Sequence, residues 1–114
     1  VKLRVPNVSI TDNSFDDSQG RKTNYMIDLS EGGTGLIARN TFADGPNKEN
    51  WTGFIVVAAE GRTYPSAGLK VVDNVATLAP NFAKSPAFVA NVGRDRLEVG
   101  ENQLAAGIRK YEER

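Results

Sequence analysis

A chain of 114 residues is one domain's worth and long enough to bury a core, and its 14 basic and 14 acidic residues cancel to a formal net charge of zero. That balance argues against a nucleic-acid partner or a membrane surface, and the absence of Cys and His excludes disulfides, thiol nucleophiles, imidazole acid/base work and Cys/His zinc sites. No apolar run reaches the length of a membrane span and no stretch has a signal peptide's pattern, so no membrane insertion is expected; the opening on Val1 reads as a processed or excised piece of something longer.

Val1-Lys2-Leu3-Arg4-Val5 alternates with period two and reads as a strand, which Pro6-Asn7 breaks. Val8-Ser9-Ile10-Thr11-Asp12-Asn13 follows, with Phe15 two places beyond the asparagine. Asp16 to Asn24 is polar, contains Gly20 and reads as a loop. Tyr25-Met26-Ile27-Asp28-Leu29 is the next strand, closed by Glu31-Gly32-Gly33. Gly35-Leu36-Ile37-Ala38-Arg39-Asn40 repeats the earlier pattern as far as Phe42, and Ala43-Asp44-Gly45-Pro46-Asn47 is turn chemistry. Phe54-Ile55-Val56-Val57-Ala58 is a strand, and Glu60 to Ala67, with Gly61 and Pro65, is a longer turn. Leu69-Lys70-Val71-Val72-Asp73-Asn74 is the third copy of the pattern, with Ala76 beyond it, and Leu78 to Pro86 is a loop. Phe88-Val89-Ala90-Asn91-Val92 and the turn Gly93-Arg94-Asp95-Arg96 lead into the fourth copy, Leu97-Glu98-Val99-Gly100-Glu101-Asn102, with Leu104 after it. Leu104, Ile108 and Tyr111 are spaced by four and three, which suggests a short amphipathic helix or one covering turn at the C-terminal end.

The four copies read apolar-x-apolar-x-x-Asn, with only Gly35 lacking the first apolar side chain, and their asparagines recur at steps of 27, 34 and 28 residues. A repeat of this size signals a solenoid. Each coil is expected to contribute two strands, a first strand (residues 1–5, 25–29, 54–58 and 88–92) and the motif strand, stacked in parallel about 4.8 Å apart. Alternation then sends Ile10, Ile37, Val71 and Val99 inward as one column. At the corner that follows, an asparagine can donate and accept at once, so Asn13, Asn40, Asn74 and Asn102 read as a hydrogen-bonded ladder. The positions before them, Asp12, Arg39, Asp73 and Glu101, point outward and read as a solvated charge ladder.

The coil motif resembles the right-handed parallel β-helix proteins of the pectin-lyase-like superfamily, which carry the same strand pattern and an asparagine ladder. Gly45-Pro46-Asn47-Lys48-Glu49-Asn50, followed by an apolar strand and Glu60-Gly61, also looks like repeat regions of bacterial members of unassigned function. The resemblance covers nearly the whole chain. It implies an all-β, single-stranded right-handed parallel β-helix of about four coils (about 1–24, 25–53, 54–87 and 88–105) with a C-terminal cap at 106–114. It further implies an exported protein, secreted or periplasmic, that is associated with acidic polysaccharide. Complete members have more coils, so this chain is expected to be the C-terminal section of a longer β-helix.

Fold does not carry chemistry, and the residues are nearly silent on it. Lyases of the superfamily hold substrate on an outer strand face, with Asp or Glu on Ca2+ and a Lys or Arg as base. The corresponding outward positions here are expected to be Met26 and Asp28, then Ile55 and Val57, then Val89 and Asn91, an apolar stripe that wants a cover and offers one acid. Aligning Leu29, Ala58 and Val92 places Glu31, Glu60 and Arg94 in one column at the next turn, with Arg62 and Arg96 two places further on. Stacked carboxylates can do acid/base work on a sugar or hold a metal, while arginines can fork a uronate carboxylate. Glu31, Glu60, Arg62 and Arg94 are thus the catalytic candidates, and Asp28 and Arg96 the substrate-binding ones; the bland alternative is a solvated turn whose arginines neutralise two glutamates. Trp51, Tyr25 and Tyr64 offer a sugar-stacking platform or ordinary core and loop anchors. No cofactor or resident metal is implied, with Ca2+ entering only for a lyase. Three readings follow: a non-catalytic scaffold section with a polysaccharide-binding surface, which is favoured; a polysaccharide lyase or hydrolase; and a module that assembles end-on, with the parent's N-terminal coils or a second copy as partner.

Overall fold

The computed structural model describes residues 1–22 and 25–114, so the loop expected from Asp16 to Asn24 ends in two positions, Thr23 and Asn24, outside the described residues. The described residues form strands and no helix. Each coil supplies three strands where two were expected. The first coil holds β1 (Lys2–Leu3), β2 (Asn7–Thr11) and β3 (Ser14–Asp17), and the second β4 (Ile27–Leu29), β5 (Thr34–Ala38) and β6 (Thr41–Asp44). The third holds β7 (Gly53–Val57), β8 (Lys70–Val72) and β9 (Val75–Leu78), and the fourth β10 (Ala87–Asn91), β11 (Glu98–Val99) and β12 (Gln103–Leu104). Equivalent strands stack into three sheets, β1-β4-β7-β10-β13, β2-β5-β8-β11 and β3-β6-β9-β12, and every pairing is parallel. The fold is an all-β parallel solenoid of about four coils.

The extra strand comes from the sharpness of the bend at the asparagine. Asp12, Arg39 and Asp73, the residues before three of the asparagines, sit at φ of 60°, 57° and 58°. That left-handed conformation redirects the chain within one residue, so the segment beyond starts a new strand rather than a loop. Phe15, Phe42, Ala76 and Leu104 then fall in one register column of the third sheet. Phe15 stacks on Phe42 with ring centroids 5.1 Å apart, and Phe42 meets Phe54 and Phe88 edge-on.

The first sheet differs from the sequence reading by one residue. Leu29 aligns with Val57 and Asn91, and Asp28 with Val56 and Ala90. Met26, Ile27, Leu29, Ile55, Val57 and Val89 therefore join Ile37, Val71 and the phenylalanines in the core. The apolar stripe expected outside the solenoid, with Met26, Ile55, Val57 and Val89 in it, lies inside. Val56, Ala87 and Ala90 instead make a small separate cluster with Tyr25 and Val92, and Asp28 shares their column.

The C-terminal segment is a strand, not the helix that its spacing suggested. β13 (Arg109–Glu113) pairs in parallel with β10, and Arg109 N–H donates to Pro86 O at 2.9 Å. Gly107 at φ 94° breaks the helical spacing, and the open edge of β10 offers a full set of main-chain partners that a short exposed helix would lack. Leu104, Ile108 and Tyr111 still meet the core, now as a strand and its approach.

Gly35, the one exception in the repeat, has a steric cause. It lies level with Val8 at φ 128°, and a Cβ there would sit 2.0 Å from Val8 O. The coils approach too closely at this point for any side chain.

Candidate functional site

Charged and polar groups gather around the asparagine ladder that fixes the coil register, at the turn that bears Glu31 and Glu60, under the loop after β6, and at the C-terminal end of the lumen. Asn13, Asn40 and Asn74 each donate through backbone N–H to Oδ1 of the next asparagine, at 3.0 Å in all three steps. Their Nδ2 groups reach the same oxygens at 3.2, 3.1 and 2.9 Å. The remaining Nδ2 hydrogens close on main-chain carbonyls, Asn40 on Ile10 O and Asn74 on Ile37 O and Val72 O. Asn40 and Asn74 are buried, so the amides replace water for these carbonyls. Beside the ladder, Arg39 forks Asp12 at 3.0 and 3.3 Å, and this hydrogen-bonded guanidinium holds the Asp12 carboxyl below its usual range.

The column expected to unite Glu31, Glu60 and Arg94 does not form, because of the one-residue offset between Leu29 and Val57. Glu31 Oε1 accepts from Thr63 Oγ1 at 2.7 Å and packs over Gly61, where a Cβ would sit 2.4 Å from it. Glu60 turns the other way, pairing with Lys2 and, at 3.4 Å, with Arg4 of the first coil. The hydrogen bond from Lys2 keeps the Glu60 carboxyl below its ordinary range. Arg62 is exposed on the same turn and makes no ion pair or hydrogen bond with the described residues. Asp28 lies level with Lys2, is 5% exposed, and its Oδ1 has no hydrogen-bond partner among the described residues. Burial pushes its carboxyl above the usual range, and Lys2 only partly offsets that.

A second buried charge sits under the loop that follows β6. Lys48 Nζ lies 3.0 Å from Asp17 Oδ2 with its side chain fully buried, and Asp44 beside it is raised by burial against the pull of Lys48. Asp44 Oδ1 accepts from Gly45 N–H at 3.0 Å. This Lys48 strap ties the third strand of the first coil to the loop of the second. The aromatic platform does not assemble: Lys84 Nζ lies 4.7 Å over the Trp51 ring, Tyr25 packs on Val56 and Ala90, and Tyr64 bridges Gly32 through its backbone.

The last gathering is a cavity of about 470 Å³ where the lumen opens at the C-terminal end. Arg94 and Arg96 come together here, and sequence reasoning missed what joins them: Asn91, Lys110, Tyr111 and Glu113, over a floor of Leu97 and Val99. Asn91 was expected outside the solenoid; its register with Leu29 and Val57 turns it in. Its Nδ2 donates to Asp95 O at 2.9 Å and to Tyr111 Oη at 3.0 Å, joining the arginine-bearing turn to β13. Arg109-Lys110-Tyr111-Glu112-Glu113 holds one apolar side chain and no period-two alternation, so no local signal marked this strand or the pocket wall that it forms.

Among the described residues no group of three or more Asp or Glu is placed to hold a metal ion, and no helix is long and apolar enough to cross a membrane. No family model, no curated protein and no solved structure matches the chain.

Proposed function

We propose that the chain is a non-catalytic section of an exported, carbohydrate-associated β-helix, similar to the pectin-lyase-like superfamily, that serves as scaffold and recognition surface. One observation carries the reading: the two glutamates best placed to act as acid or base are already engaged, Glu60 by Lys2 and Arg4 and Glu31 by Thr63. A carboxyl held below its ordinary range is a poor proton donor at neutral pH, where an efficient general acid needs a raised value. The test is incubation with pectate, alginate and chondroitin while following the ultraviolet absorbance of the unsaturated product. No rise is expected with any of them, and a rise abolished by Glu60→Gln would replace this reading with the lyase one.

A second reading, end-on assembly, is favoured by the N-terminal end. There β1, β2 and β3 are the outermost strands of their sheets, and Leu3, Val8, Ile10 and Phe15 close the lumen with no coil beyond them among the described residues. Unpaired strand edges over apolar side chains attract another coil, whether from the parent chain or from a second copy. Light scattering across concentration checks it: mass rising with concentration supports self-association, and a strict monomer leaves only the parent's own coils as occupant.

A further inference from the structure

We propose that the cavity at the C-terminal end of the lumen is a binding site for a carboxylate carried on a six-membered ring. The inference deepens the recognition part of the function proposed above and rests on it. The inward columns of the first sheet change character here. Ile27, Ile55 and Val89 are continued by Tyr111, and Leu29, Val57 and Asn91 by Glu113, while Lys110 falls level with Phe88. A further coil seated on this end would bury Lys110 and Glu113 in the lumen, a costly placement for charges. The opening is therefore built for a hydrated or ligand-filled state, unlike the apolar opposite end.

Its cations are free and its frame is fixed. The side chains of Arg94, Arg96 and Lys110 make no ion pair or hydrogen bond with the described residues. The turn that presents the arginines is held at three points: Asn91 Nδ2 donates to Asp95 O at 2.9 Å, Ser66 N–H to Asp95 Oδ2 at 2.7 Å, and Gly68 N–H to Arg96 O at 3.0 Å. Three cations, Arg94, Arg96 and Lys110, face the cavity against two carboxylates, Asp95 and Glu113, which leaves it a net positive charge. Asn91, 2% exposed, braces this wall from within, its Nδ2 joining the turn to the Tyr111 hydroxyl. Forked guanidiniums select a carboxylate. The Tyr111 ring, Leu97 and Val99 provide an apolar wall, and about 470 Å³ is room for one or two rings. Sugar acids and aromatic acids share this chemistry.

The test is a two-dimensional amide NMR titration of the whole chain with galacturonate and with benzoate, against galactose and acetate. Saturable shifts confined to residues 91–99 and 109–113 with at least one ring carboxylate, and weaker or absent ones with galactose and acetate, support the site and identify the source. Arg94→Gln and Arg96→Gln should each weaken that binding about tenfold, the loss of one charged hydrogen bond. Both side chains are exposed, so neither variant threatens the fold. Shifts with galacturonate only on other faces would overturn the site but leave the carbohydrate reading in place. No shift anywhere would overturn both, and acetate binding as tightly as either ring acid would overturn the ring requirement.

Discussion

Replacing Asn74 by Leu removes the most connected member of the ladder. Its Oδ1 accepts from Asn40 N–H at 3.0 Å and Asn40 Nδ2 at 3.1 Å, and its Nδ2 serves Asn102 Oδ1, Ile37 O and Val72 O at 2.9, 3.2 and 3.0 Å. Leucine keeps the same number of side-chain heavy atoms, branched at the same carbon, but leaves Asn40 N–H and Ile37 O without their ladder partner beside residues that are 0% exposed. Each buried orphan costs about 1–3 kcal/mol, and two of them, with partial relaxation, give about 2–5 kcal/mol. At roughly 4 °C per kcal/mol for a domain of this size, the thermal midpoint should fall by about 8–20 °C. The companion variant Asn13→Leu sits at the exposed end of the ladder, accepts from no other rung and should cost under about 1 kcal/mol. Thermal and urea unfolding followed by circular dichroism measure both. Equal midpoints for Asn74→Leu and Asn13→Leu would refute the argument, because the ladder predicts that depth in the stack sets the cost.

Three other outcomes follow from the same geometry. Asp73 at φ 58° should tolerate Gly, while Asp73→Val should lose about 1–2 kcal/mol in urea unfolding, since a β-branched side chain resists that conformation. Gly35→Ala should destabilise strongly or prevent folding, as its Cβ would meet Val8 O at 2.0 Å; a wild-type midpoint would sink the close-approach reading. The carboxyls of Asp28 and Asp44 are raised in the folded chain, so ionisation favours the unfolded one. Their contribution is fully present below the unfolded value of about 3.9 and is lost as pH rises through the folded values. Asp28→Asn should flatten that part of the stability–pH profile, and an unchanged slope would speak against it.

The sequence carried the solenoid because the ladder motif repeats four times and its period is a consequence of the coil. Asn13, Asn40, Asn74 and Asn102 could be aligned without coordinates, and so could the Ile10, Ile37, Val71 and Val99 column. The first sheet was less legible for a physical reason. All five residues of Gly53–Val57 are buried, so alternation between faces leaves no trace in hydropathy, and a one-residue slip went unseen. That slip moved Asn91 from the outside to the lumen and separated Glu31 from Glu60. The left-handed residue at three of the four bends was hidden as well, since Asp12, Arg39 and Asp73 give no glycine signal. At the C-terminus, Leu104, Ile108 and Tyr111 fit helical spacing, yet the free edge of β10 decided the outcome. Local pattern could not register an edge formed by residues 22 positions earlier in the chain. The end cavity was invisible for the same reason, because its walls come from the turn after β10 and from β13.

The most direct check is the scalar coupling across the hydrogen bonds between Asn40 backbone nitrogen and Asn74 side-chain carbonyl, and its equivalents in the steps above and below. Couplings at 13–40, 40–74 and 74–102 are expected from donors and acceptors 3.0 Å apart. Their absence, with these amides exchanging freely with water, would contradict the stacked coils and the site that they frame.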